Sequence, residues 1–285
     1  NLLLGIHRVR SYNAVEIATR SLNVGFLAVL ILARSVTVVN VFVAGLAATF
    51  LTGAWAFLQV RGVGPGAPRW SRSLFSATVG YGFKAYLVSL FAYLIVRVDL
   101  LMVKYMLGAT QAGYYSISAS VADLLYILPA TIGTILFPRI SALTDPREKW
   151  RLARKSMLAT IAVMVPLAII ACLLAKVVVR LLFGRAFLPA VPPFYVLAGA
   201  MIFYGANNMI AYLFAALEYP AFSIYAWGVV LVLNMGLNLF FIPQWGIVGA
   251  AWSSLVCYLG IFLLELVYVP YYLRRVLGPP TAPAS

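Results

Sequence analysis

Apolar residues run along this chain in eight long stretches, separated by charged or Gly/Pro-rich segments. Each stretch exceeds the ~18 residues that suggest a membrane-spanning helix. None shows the alternating ~10-residue pattern of an outer-membrane barrel strand. The predicted spans are Val15–Ala33, Val36–Leu58, Phe83–Met106, Gly113–Phe137, Ser156–Phe183, Val191–Leu217, Ala221–Ile242 and Gly246–Tyr268. The fold class is therefore all-α: a polytopic membrane helix bundle of eight transmembrane helices. Pro129 and Pro166 fall inside spans and suggest kinks or hinges. A charged loop is expected over Pro138–Lys155, and a disordered Pro/Ala-rich tail over Pro279–Ser285.

One interruption divides the pattern. Arg61–Arg72 (RGVGPGAPRWSR) is rich in glycine, proline and arginine and has the composition of a linker. The expected organisation is two helices over 1–60, a linker over 61–82, six helices over 83–275 and a tail over 276–285. Asn1–Arg10 looks like the end of one element and a loop, which points to a carboxy-terminal part of a longer protein.

Composition agrees with the spans: 64% of the 285 residues are hydrophobic and 10% charged. The net charge of +14 would suggest nucleic acid in a soluble chain. Here most basic residues sit in loops and set topology instead, so no nucleic-acid partner is expected. One set of loops carries Arg8, Arg61, Arg72, Arg139, Arg151 and Arg274 among others. The opposite set carries only Arg34 and Arg185, with Lys176 and Arg180 near a helix end, where they snorkel to headgroups. The positive-inside rule places the first set, and both ends of the chain, in the cytoplasm. His7 reads as a solvated loop residue. Cys172 and Cys257 sit inside apolar runs, so neither a disulfide nor a metal site is expected.

The third span carries the candidate chemistry. Tyr86, Tyr93, Arg97 and Lys104 share a helix face, while Asp99 projects elsewhere. Eleven Leu, Ile, Val and Phe residues lie within Leu87–Val103. They favour insertion by roughly 0.3–0.6 kcal/mol each. Two charges near the centre cost about 2.5–3.5 kcal/mol each and offset that gain. The helix therefore needs water or a polar neighbour. The fourth span offers one in Ser116, Ser120 and Asp123, with Thr134 beyond them. At ~1.5 Å rise per residue, Arg97 and Asp123 lie at similar depth, roughly 13–15 Å from the outer end. A wet cavity and a structural buried pair both remain open readings. Tyr204, Asn207, Asn208 and Tyr212 cluster on the sixth span, and Asn234 and Asn238 are spaced i, i+4 on the seventh. Such amides either glue helices together or line a substrate path. Ser254, Tyr258 and Glu265 share a face of the eighth span, where Glu265 reads as an interfacial charge.

No phosphate-cradling G-x-x-x-x-G-K-[ST] occurs, so no nucleotide-driven engine and no enzyme activity are expected. The segment RVDLLMVKYMLGATQAGYYSISASVADLLYILPATIGTILFPRIS (Arg97–Ser141) resembles bacterial polysaccharide-biosynthesis flippases. These are the Wzx-type members of the multidrug/oligosaccharidyl-lipid/polysaccharide exporter superfamily. LLFGRAFLPAVPPFYVLAG, WGIVGAAWSS and LLLGIHRVRSYN resemble further segments of the same family. The resemblance implies two six-helix lobes around a cationic cavity. The first two helices here would complete an amino-terminal lobe, and the remaining six would form the carboxy-terminal one. It implies flipping of an undecaprenyl-pyrophosphate-linked oligosaccharide by alternating access, in the cytoplasmic (inner) membrane of a prokaryote, for surface polysaccharide synthesis. It further implies membrane lipid, the lipid-linked anionic glycan, a coupling ion (H+ or Na+) and other polysaccharide-assembly membrane proteins as partners, without a cofactor.

The substrate pathway is then expected to use Arg97, Lys104, Asp99, Asp123, Tyr93, Ser120, Asn207, Asn208, Asn234 and Asn238. Arg97 and Lys104 suit a pyrophosphate, and Tyr93 a stacked sugar. The alternatives are a cation-coupled multidrug exporter of the same superfamily, a membrane glycan polymerase or ligase, and a purely structural assembly subunit. A polymerase needs large outer loops, whereas the outer loops here are a few residues long.

Overall fold

The computed structural model describes residues 9–60 and 71–277. His7, the linker residues 61–70 and the Pro279–Ser285 tail lie outside the described residues. Seven long helices and one short 3-10 helix form the described chain, with no strand among the described residues. They are α1 (Val9–Leu32), α2 (Val38–Val60), α3 (Arg72–Leu107), α4 (Ala109–Ala142), α5 (Pro146–Leu182), the 3-10 turn Arg185–Ala190, α6 (Val191–Ala216) and α7 (Ala221–Leu277). All seven are long and apolar enough to cross a membrane, and the chain is a multi-pass membrane protein.

The count of eight needs a correction, because the last two expected spans form one 57-residue element. At ~1.5 Å per residue a straight helix of that length would reach about 85 Å, far beyond a ~30 Å hydrocarbon core. It is not straight: Gly246 has φ 59°, ψ −140° and breaks it. Across the break, Cys257 Sγ donates to Val230 O, and Ser223 Oγ donates to Glu265 Oε1. Each pair is centred at about residue 244, so the two limbs run antiparallel as a hairpin. A Cβ on Gly249 would stand 2.2 Å from the Phe241 carbonyl oxygen. Gly249→Ala therefore forces backbone apart at the bend. We expect a loss of about 2–3 kcal/mol, at the upper end for overpacking, read as a lower melting temperature in detergent. An unchanged melting temperature would show that the bend is compliant.

Two further boundaries differ from expectation. α3 begins at Arg72, eleven residues before its apolar run, so part of the expected linker is helical. The expected charged loop over Pro138–Lys155 is mostly helix. α4 continues to Ala142, and α5 starts at Pro146 with Asp145 as its cap, accepting from the Arg147 N–H at 2.9 Å. The first turns of α5 carry its charges and extend it beyond the apolar stretch. Helix continues through Pro129 and Pro166.

The chain divides into two compact units, Asn1–Ser71 and Arg72–Ser285. In the first, α1 and α2 pack together, and the Thr19 and Thr52 hydroxyls meet at 2.9 Å. In the second, α6 is central and packs on α4, α5 and α7, while α3 packs on α4 and α7. Phe194, Met209, Ile210, Leu213 and Phe214 of α6 are fully buried. Close approach depends on small residues: a Cβ at Gly205 would meet Met164 Sδ at 2.6 Å and Pro129 Cγ at 2.8 Å. The carboxy-terminal end of α6 is tied down from three sides. Lys149 Nζ donates to Ala216 O at 3.2 Å, Tyr81 OH to Ala215 O at 3.2 Å and Tyr272 OH to Leu217 O at 3.3 Å. Those bonds serve carbonyls that a helix end leaves without partners.

Candidate functional site

A cavity of about 520 Å³ opens within the second unit. Three helices supply most of its wall, each through one face. α3 gives Ser89, Ala92, Tyr93, Val96 and Arg97, at i, i+3, i+4, i+7 and i+8. α6 gives Tyr204, Asn207, Asn208, Ala211 and Tyr212 with the same periodicity. α4 adds Asp123 and Tyr126, one turn apart. Trp227 of α7 and Tyr219 of the α6–α7 turn complete the aromatic side.

Two charges face the cavity. Arg97 Nη2 lies 4.0 Å from Asp123 Oδ2, with side chains 48% and 37% exposed. At that separation the pair is open, and the guanidinium keeps donors for another anion. Arg97 Cζ also lies 5.8 Å from the Tyr93 ring centroid, within cation–π range. Behind the charges stands an aromatic cluster. Tyr204 lies 5.0 Å from Tyr126, 4.8 Å from Tyr258 and 6.4 Å, edge-on, from Trp227 between ring centroids. Asn208 Nδ2 donates to Tyr126 OH at 2.5 Å. The wall thus offers one cation, one anion, amides and several aromatic faces, the groups that bind phosphate and sugar.

Not every expected pathway residue joins this cavity. Lys104 and Ser120 are exposed and lie outside its lining. Lys104 sits seven residues beyond Arg97, or ~10 Å along the helix, which carries it past the cavity. The lining is formally neutral, with one Arg and one Asp, so a net cationic cavity is not what this unit presents.

Asp99, Asn234 and Asn238 form a separate, closed cluster. Asp99 is 1% exposed. Its Oδ1 accepts from Asn238 Nδ2 at 2.6 Å, and its Oδ2 accepts from Tyr115 OH at 3.2 Å and from Ser254 Oγ. Asn238 Nδ2 also donates to Asn234 Oδ1 at 3.2 Å. None of these residues lines the cavity. They bind α3, α4 and both limbs of α7 together, the helix-gluing role open to intramembrane polar groups.

Glu265 requires the largest revision. It is not an interfacial charge but fully buried, at 0% exposure. Its Oε1 accepts from Ser223 Oγ at 2.5 Å and from Trp227 Nε1 at 3.1 Å. Tyr126 and Trp227, both in the wall, were not singled out from sequence. Tyr126 had a signal, because it lies three residues beyond Asp123 and so on its face.

Residues 65–192 match the family model described as Polysaccharide biosynthesis protein. A putative O-antigen transporter of Shigella flexneri is 32% identical over 178 residues, 61% of this chain and 42% of that protein. A probable low-salt glycan biosynthesis flippase of Haloferax volcanii is 23% identical over 184 residues, 64% of this chain and 38% of that protein. The chain thus spans less than half the length of these curated relatives. A Vibrio cholerae MATE transporter structure aligns with a TM-score of 0.79 at 13% identity, over 93% of this chain and 63% of that one. The lipid II flippase MurJ aligns with a TM-score of 0.64 at 16% identity, over 88% of this chain and 55% of that one. The structural likenesses establish a MATE/MurJ-type transporter fold. The family-model match and the homologous O-antigen transporter and glycan flippase bear out the resemblance read from the sequence.

Proposed function

We propose that this chain is part of a flippase that carries a lipid-linked anionic glycan across a cytoplasmic membrane for surface polysaccharide synthesis. The observation that carries the reading is the half-exposed Arg97 beside Tyr93 on the wall of the 520 Å³ cavity. Arg97 binds a phosphate of the lipid-linked head group, the aromatic faces stack on sugar rings, and Asn207 and Asn208 hydrogen-bond hydroxyls. The family and relatives matched above favour a glycan over other anions. An undecaprenyl-pyrophosphate carrier fits this chemistry. The two units are read as the end of one lobe and the whole of another, rocking about 61–70, with both chain ends cytoplasmic and H+ or Na+ as driving ion. Arg97 also weighs against the multidrug alternative, since a guanidinium 4.0 Å from Asp123 opposes an organic cation there.

The cavity volume provides the test. Ala211 lines the wall and is partly buried. Ala211→Trp fills space within a pocket whose size lies in the ~300–1,000 Å³ range of ligand sites. In the full-length protein it should abolish export of the labelled glycan at normal membrane abundance. Undiminished export would remove the cavity from the path.

A further inference from the structure

Glu265 is a buried carboxyl for which the cavity wall itself supplies no cation. Among the described residues the ion pair given is Arg97–Asp123, and Glu265 takes part in none. The groups around it come from every side. Ser223 and Trp227 belong to the first limb of α7, Asn207 to α6, and Tyr219 to the turn between them. Tyr219 is the titratable group that faces it. The ammonium of Lys149, at the same end of α6, is engaged by Ala216 O.

The two carboxyl oxygens differ. Oε1 accepts two hydrogen bonds, whereas Oε2 is buried with no partner. The Asn207 side chain lies within hydrogen-bonding reach of this carboxyl, and its Oδ1 is likewise buried and unpartnered. An unpaired buried polar atom costs about 1–3 kcal/mol, and a bare charged oxygen more. One proton on Oε2 removes both defects, because the acid O–H then donates to the amide oxygen. Asn207 and Trp227 also line the cavity. The carboxyl therefore stands one side chain behind the cavity surface.

We propose that Glu265 is a proton-binding site whose neutral acid shares Asn207 with whatever occupies the cavity. The proposal rests on the transporter reading above. When a sugar hydroxyl engages the Asn207 amide, the acid loses its acceptor and its proton is released. When the cavity empties, the amide returns and the proton is taken up again. An O–H bond forms on Oε2 as hydronium in the cavity water becomes water, and release reverses this; nothing is oxidised or reduced. Proton and glycan thus occupy the site alternately, which is the requirement for antiport.

The test uses the full-length protein in liposomes. Infrared difference spectra across a pH titration report the carboxylic-acid carbonyl band without any substrate. A fluorescent polyprenyl-pyrophosphate oligosaccharide reports flipping with and without an imposed pH gradient. We expect an acid band that titrates in the wild type and is missing from Glu265→Gln. With one proton per substrate, a gradient of about one unit should bias the leaflet distribution roughly tenfold, and Glu265→Gln should abolish that bias. The glutamine amide can donate to Asn207 Oδ1 as the acid does, so the variant keeps the packing. Should it still fail to assemble, a shifted band in Glu265→Asp serves as support and an unshifted one overturns the assignment. A gradient response retained by Glu265→Gln, or the absence of any Glu265-dependent band, also overturns it while leaving the glycan reading intact. A titrating Glu265 band in a protein that moves no glycan supports the proton site and sinks the glycan reading instead.

Discussion

Arg97→Ala in the full-length protein is expected to lower glycan flipping by about 10- to 100-fold, since hydrogen bonds to charged groups contribute about 1.5–3 kcal/mol. Membrane abundance should not fall, because the side chain is 48% exposed and its partner Asp123 stands 4.0 Å away. Arg97→Lys should rescue only in part: an ammonium keeps the charge but lacks the planar fork that grips phosphate in two places. Flipping assays on membranes with matched protein levels measure both. Wild-type rates in Arg97→Ala would assign the residue to structure alone and leave the cavity without its anion-binding group.

The second large effect belongs to the closed cluster. Asp99→Leu keeps the approximate volume but removes the acceptor for Tyr115, Asn238 and Ser254. Three buried donors left unpaired at about 1–3 kcal/mol each should cost roughly 3–6 kcal/mol, a large part of the stability of a domain. Thermal unfolding followed by tryptophan fluorescence should show either a much lower transition or no assembled protein. Asp99→Asn retains one acceptor oxygen and should fall between Asp99→Leu and wild type. If Asp99→Leu melts with the wild type, the cluster does not hold the helices together.

Helices were legible because twenty apolar residues in succession leave little else for a backbone in lipid. Their extensions were not. Arg72–Gly82 mixes serine, glycine and aromatics, and hydropathy loses it although helix propagates through it. The start of α5 did carry a signal, Asp145-Pro146-Arg147-Glu148, the order of a cap, a first-turn proline and an acid. Charge density masked it. Within the site, Arg97 and Asp123 lie on neighbouring helices joined by a short turn, so matched depth brought them together on paper. Asp99 finds Asn238 and Ser254 across 139 and 155 residues, and no periodicity along one chain encodes such a meeting. Glu265 was misplaced for a related reason. Its distance from the helix end suggests an interface, but its partners Ser223 and Trp227 are 42 and 38 residues away on the opposite limb.

The bend at Gly246 has a bearing on sidedness. Because α7 doubles back there, the second unit makes an even number of crossings, and residue 277 returns to the face from which Arg72 set out. A cysteine-accessibility label or an enzymatic reporter placed at either position should therefore respond from the same compartment, whichever compartment that is. The turn around Gly246 should report from the other. Were the hinge forced straight, the carboxy-terminal forty residues would have to exit on the wrong side and carry Arg274 and Arg275 with them, against the charge bias that orients such chains.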